Sequence, residues 1–178
     1  PGVTAAVPTI VSTARASGAN TMLLTADSAG ALPLLAEVLP QSGLNNTAIQ
    51  YAGLTRWDVP TGTMNLPGLQ GGWFALPDPG LNAQFQSRFT AAYGSMPNPI
   101  AGLAYDGIAA IGALVKSGRS DPFSGASLTQ GAGFAGVNGV FRLRSDGTNE
   151  RGLAIAQIRN GTYVIIDPAP RSFGGAGL

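Results

Sequence analysis

"TMLLTADSAGALPLLAEVLPQSGLNNTAIQYAGL", residues 21–54, decides the fold class. It opens with a short apolar run of strand length and passes through a polar turn at "TADS". An apolar segment of helical length follows, with Pro33 near its first turn and Gly43 beyond its end. A second short apolar run, "AIQYAGL", closes it. Short, continuously apolar strands separated by helices predict a parallel sheet covered on both faces, an α/β architecture.

The pattern extends in both directions. Upstream, Ala5, Val7, Ile10, Val11 and Ala14 recur at helical spacing before Gly18. Downstream, "RWDVPTGTMNLPGL" reads as an irregular loop and "GGWFALP" as a third strand. Two helices follow. "GLNAQFQSRFTAAYG" spaces Phe85, Phe89 and Tyr93 by four, and "PIAGLAYDGIAAIGALVKSG" is apolar nearly throughout, with a short third helix expected in "DPFSGASLTQG". "GVFRLRSDGTNERGLAIAQIRNGTYVIID" reads as three strands with turns at "SDGT" and "NG", the latter a strong hairpin signal. The tail "PAPRSFGGAGL" has no periodicity.

Composition removes several kinds of chemistry. The chain has 178 residues, a net charge of +1, no Cys and no His. Thiol catalysis, Cys or His metal sites and a Ser-His-Asp triad within the chain are excluded. Only 11% of residues are charged, which argues against nucleic acid as a partner. "GAGFAG", residues 131–136, fits a dinucleotide-binding glycine pattern. It follows a helix-like segment and precedes a strand, the reverse of what that cofactor requires, so no cofactor is expected.

Ligands of open parallel sheets bind beyond the carboxyl ends of the strands. The polar residues expected there are Thr25, Asp27 and Ser28 after the first strand, Thr55, Arg56, Trp57 and Asp58 after the second, and Asp78 after the third. Asp27 and Ser28 serve a ligand or cap the following helix; Arg56 and Asp58 bind a ligand or brace the loop as an ion pair; Trp57 serves the ligand or the loop core; Asp78 suits a turn. Asp27 and Asp58 are the one acid pair placed for hydrolysis, and nothing in their spacing demands it.

Five segments in order resemble the C-terminal half of type I periplasmic binding proteins, the leucine/isoleucine/valine-binding family of ABC-transporter receptors. They are "GANTMLLTADSAGALPLLAEVLP", "GLTRWD", "GLQGGWFALPDPG", "FTAAYGSMPNPIAGLAYDGIAAIGALVKSG" and "FAGVNGVFRLRSDGTNERGLAIAQIRNG". The resemblance implies a two-lobed α/β fold with a hinge, of which this chain covers about the C-terminal half. Residues 1–82 would belong to the second lobe, 83–151 would return to the first, 152–166 would cross back, and 167–178 would form a tail. It implies a periplasmic protein, with or without a lipid anchor, that is no enzyme and binds a small amino-acid-like ligand without cofactor or metal. Its partners would be a membrane permease and the N-terminal half of the same protein.

By the same resemblance, second-lobe ligand contacts fall near Asp27 or Ser28, the contact to a ligand's amino group near Gln70, and an apolar wall near Ile100; Thr25 and Trp57 join this candidate set from the strand ends. Gln70 stands where the family carries an acid for the ligand's amino group, and Gln supplies no charge. A relative of this fold, the lipoprotein that activates penicillin-binding proteins, implies the alternative of a cell-envelope regulator acting on a penicillin-binding protein. Without the N-terminal half, Phe85, Phe89, Leu103, Ile108, Ile111 and Leu114 are expected to lack a surface to bury against.

Overall fold

The computed structural model describes residues 2–173. The chain divides into two compact units, Pro1–Leu76 with Ile155–Asp167, and Pro77–Ala154 with Pro168–Leu178. It passes between them three times.

The first unit is built on a five-stranded sheet in the order Thr21–Leu24, Gln50–Gly53, Trp73–Leu76, Ala154–Arg159, Thr162–Asp167. Helix α1 (Val3–Ser17) ends at Gly18 and leads into β1 (Thr21–Leu24). Helix α2 (Leu32–Gln41) leads into β2 (Gln50–Gly53). The loop after β2 contains two 3-10 turns, Thr61–Asn65 and Pro67–Leu69, and then enters β3 (Trp73–Leu76). These three strands are parallel, with Leu23 opposite Ala52 and Ala52 opposite Trp73. Strand β6 (Ala154–Arg159) joins β3, with the Gly71 N–H donating to Ile158 O and the Ile158 N–H to Gly72 O. Strand β7 (Thr162–Asp167) pairs antiparallel with β6. The two-residue turn between them places Asn160 at φ 52° and Gly161 at φ 74°. Both angles are left-handed, which is why Asn-Gly occupies the turn.

Side chains alternate across a strand, so the register assigns each to a face. Tyr51, Phe74 and Leu76 are buried with α2's Leu32, Ala36 and Leu39 and with Ala156 and Ile158. The expectation of a sheet covered on both faces is corrected. Leu23 and Trp73 share the other face through Ala52, and both are exposed.

The second unit begins with α3 (Pro79–Tyr93). Asp78 caps it by accepting the Leu81 N–H at 2.9 Å, Pro79 fills the first turn, and Gly94 closes it in a left-handed conformation. Helix α4 (Ala101–Lys116) buries one stripe, Gly102, Asp106, Ala110 and Leu114. Ala110 and Leu114 pack with Phe134, Phe141 and Leu128, the last from the short helix α5 (Gly125–Leu128). Strands β4 (Phe141–Leu143) and β5 (Asn149–Arg151) form an antiparallel hairpin. The C-terminal run thus holds four strands rather than the three expected, because Gly152, whose N–H donates to Val140 O, separates β5 from β6. Residues 131–136 lead into β4 and open no helix; Phe134 bridges to Phe141.

Of the six apolar residues expected to lack cover, Phe85 and Leu114 are buried within the unit, and Phe89 is partly buried in an aromatic row with Phe85 and Tyr93. Leu103, Ile108 and Ile111 are exposed. The tail expected at 167–178 lies beyond the described residues from 174 onward. Among the described residues, no helix is long and apolar enough to cross a membrane.

Candidate functional site

The carboxyl ends of β1 and β2 carry the polar residues of the first unit. The Leu54 N–H donates to Leu24 O at 2.9 Å, and Thr55 Oγ1 donates to Ala26 O at 3.4 Å. These two bonds hold the loop after β1 against the loop after β2. The Asp27 carbonyl accepts the N–H groups of Gly30 and Leu32, each at 3.2 Å, and so turns the chain into α2. The N-cap position is Ala31, with no side-chain hydrogen bond. Helix capping is therefore not what Asp27 and Ser28 do, because the backbone of the turn has taken over that task.

What remains at this rim is a set of uncommitted groups. Ser28 Oγ is buried without a hydrogen-bond partner. A buried hydroxyl left unpaired costs about 1–3 kcal/mol, so the position favours a polar partner. The Asp27 side chain is exposed and enters no ion pair among the described residues. Thr25 is also exposed, directly after β1. No described cluster of acids could hold a metal ion.

The "RWD" segment after β2 is committed to structure. Arg56 Nε donates to Asp58 Oδ1 at 2.9 Å and its Nη2 donates to Asp58 Oδ2, a bidentate pair. This bond raises the Arg56 pKa above its ordinary value and engages both carboxylate oxygens of Asp58. Trp57 is fully buried, 6.0 Å from the Phe74 ring centroid. It lies over Gly53 and Gly72, where a Cβ would come within 2.4 and 2.7 Å of its ring. The indole thus belongs to the core beneath the rim, with its Nε1 unpaired.

Gln70 departs from the expected rim. It precedes β3, and the register Ala52 to Trp73 sets its neighbours at the amino ends of the parallel strands. Its Nε2 donates to Met64 O and Leu66 O at 2.8 and 3.2 Å, and its Oε1 accepts the Gly161 N–H at 3.4 Å. The residue braces the 3-10 loop and the β6–β7 turn. Ile100 belongs to the second unit, at the start of α4, and is 68% exposed.

One buried polar centre lies outside the residues that the sequence singled out. The Asp106 carboxylate, 1% exposed, accepts the N–H groups of Val137 and Asn138 and pairs with Arg151. A carboxylate in the middle of an apolar helix was the available signal. Its partners are 31 to 45 residues away.

A model of the periplasmic binding protein family matches residues 1–162. The chain belongs to that family. No curated protein matches it by sequence. Among solved structures it is similar to a Rhodospirillum rubrum protein assigned to branched-chain amino acid ABC transport, with 19% identity and a TM-score of 0.70, covering 90% of this chain and 48% of that one. It is similar to a branched-chain amino acid ABC transporter periplasmic ligand-binding protein from Burkholderia xenovorans LB400, with 20% identity, a TM-score of 0.60 and coverage of 94% and 49%. An ABC transporter substrate-binding protein from Desulfitobacterium hafniense, solved with Leu, gives 14% identity, a TM-score of 0.60 and coverage of 93% and 49%. The chain spans about half the length of these proteins. Its mixed α/β architecture, with a parallel-rich sheet flanked by helices, is theirs.

Proposed function

We propose that this chain forms part of a solute-binding protein of an ABC transporter, located outside the cytoplasmic membrane, and that it contacts a small polar ligand, an amino acid or a related solute, through Thr25, Asp27 and Ser28. The observation that carries this reading is the buried, unpartnered Ser28 hydroxyl beside the unpaired Asp27 carboxylate at the carboxyl ends of β1 and β2. Ligands of open α/β sheets are held at such ends. A hydroxyl and a carboxylate suit a solute that carries donors, an ammonium group included. Trp57 supports the site from beneath and Gln70 takes no part in it. The protein would carry out no chemistry and would deliver its ligand to a membrane permease. The N-terminal half of the fold, which the chain's relatives possess, would cover the exposed side of α4.

Calorimetry of the protein against a panel of free amino acids tests the reading. Binding that falls at least about 10-fold in both Ser28→Ala and Asp27→Asn supports it, a loss of roughly 1.4 kcal/mol. Silence across the panel, or binding indifferent to both substitutions, refutes it.

A further inference from the structure

We propose that the second unit carries a separate small-molecule site, for a ligand bearing both an ammonium and a carboxylate group, in the cavity between the start of α3 and residues 169–171. The cavity has a volume of about 450 Å³. Its walls include Asp78, Leu81, Gln84, Val140, Pro170 and Arg171. That volume falls within the range of small-ligand pockets, and its mixture of apolar wall and few polar groups is what such pockets show.

The charges select the ligand. Asp78 and Arg171 line the same cavity with opposite sign, yet neither forms an ion pair among the described residues. One Asp78 oxygen is taken by the Leu81 N–H at 2.9 Å, and the other has no partner among the described residues. No described side chain or carbonyl engages the Arg171 guanidinium. A molecule with a charge at each end satisfies both groups at once, and the Leu81 and Val140 side chains suit a short methylene chain between them. Gln84 adds an amide that donates or accepts. The site is distinct from the rim at Thr25, Asp27 and Ser28, which belongs to the other unit.

The probe is 4-aminobutyrate, titrated into the protein by calorimetry, with butyrate and butylamine as single-charge controls. The variants are Arg171→Gln, at an exposed position, and Asp78→Asn, which keeps an acceptor for the α3 cap. The expected result is binding of 4-aminobutyrate that weakens about 10-fold or more in each variant, is unchanged in Ser28→Ala, and is not matched by either control. The proposal is overturned by no binding up to about 10 mM, by a control that binds equally well, or by affinity insensitive to Arg171→Gln. Binding that is lost in Ser28→Ala and kept in Arg171→Gln also overturns it and leaves the strand-end reading standing.

Discussion

Asp106 and Arg151, 45 residues apart in sequence, meet at 2.7 Å with the carboxylate 1% exposed and the guanidinium 17% exposed. The same carboxylate takes the Val137 N–H at 2.6 Å, and the same arginine donates to Gly139 O and stacks over Phe141. One side chain of α4 thereby fixes the 136–139 loop and the β4–β5 hairpin together. Replacing Asp106 with Ala leaves a largely buried guanidinium without its counter-charge and the Val137 N–H without its acceptor, a loss of about 3–5 kcal/mol. Asp106→Asn keeps an acceptor for the backbone and should lose less. Urea titration of both variants measures the difference; equal stability of Asp106→Ala and the parent would refute the role.

A second stability prediction concerns Trp57. A Cβ at Gly53 would stand 2.4 Å from its ring, so Gly53→Ala forces the indole to move at a cost of about 1–3 kcal/mol. Trp57→Phe is smaller, and the double variant should recover part of that loss. A double-mutant cycle on denaturation midpoints reads the coupling, and strict additivity would show that the two residues are independent.

Tyr51 gives a prediction in pH. Its phenol is buried, donates to Leu44 O, and is pushed up to about 12 by burial. The unfolded phenol titrates near 10. Below pH 10 both states hold the proton and stability is unaffected. Between about 10 and 12 only the unfolded state releases it, so stability falls as pH rises through that window. Tyrosinate absorbance should show a step near 12 that disappears in Tyr51→Phe. A titration of the parent complete by pH 11 would contradict this.

The fourth prediction follows from α4. Leu103, Ile108, Ile111 and Val115 are 49%, 70%, 46% and 58% exposed along one helix whose other stripe is buried. Covering a side chain of this kind is worth about 1.5–3 kcal/mol. The isolated chain should therefore self-associate, and Ile108→Glu with Val115→Glu should raise its monomer fraction. Sedimentation velocity decides it: a monodisperse monomer at high concentration, unchanged by the substitutions, would show that this stripe tolerates water.

What the sequence disclosed was local. The order of strands and helices through residue 128 could be read because each element is set by its own periodicity and stop residues, as Gly18, Gly43 and Gly94 show. The Asn160-Gly161 turn was legible for the same reason. Gln70 was placed by the resemblance; it precedes β3, at the amino ends of the parallel strands, where its amide braces the 3-10 loop and the β6–β7 turn. Trp57 reads as a ligand contact until Gly53 and Gly72 open a slot for it. Asp106 finds its partners Val137 and Arg151 only from far along the chain, which local periodicity does not disclose. At Asp27 and Ser28 the capping alternative was displaced by backbone bonds to the Asp27 carbonyl, which composition does not reveal.

The five-stranded sheet takes β1 to β3 from before the second unit and β6 to β7 from after it. On the ribosome this separates the sheet in time. At about 5–20 residues per second, the 78 residues 77–154 take roughly 4–16 s to emerge after β3. Throughout that interval the free edge of β3 has no β6 to pair with, and Phe74 waits for Tyr163, the ring it meets edge-on in the finished sheet. A nascent chain of this protein therefore displays an open, apolar strand edge for seconds, the kind of surface that holdase chaperones bind.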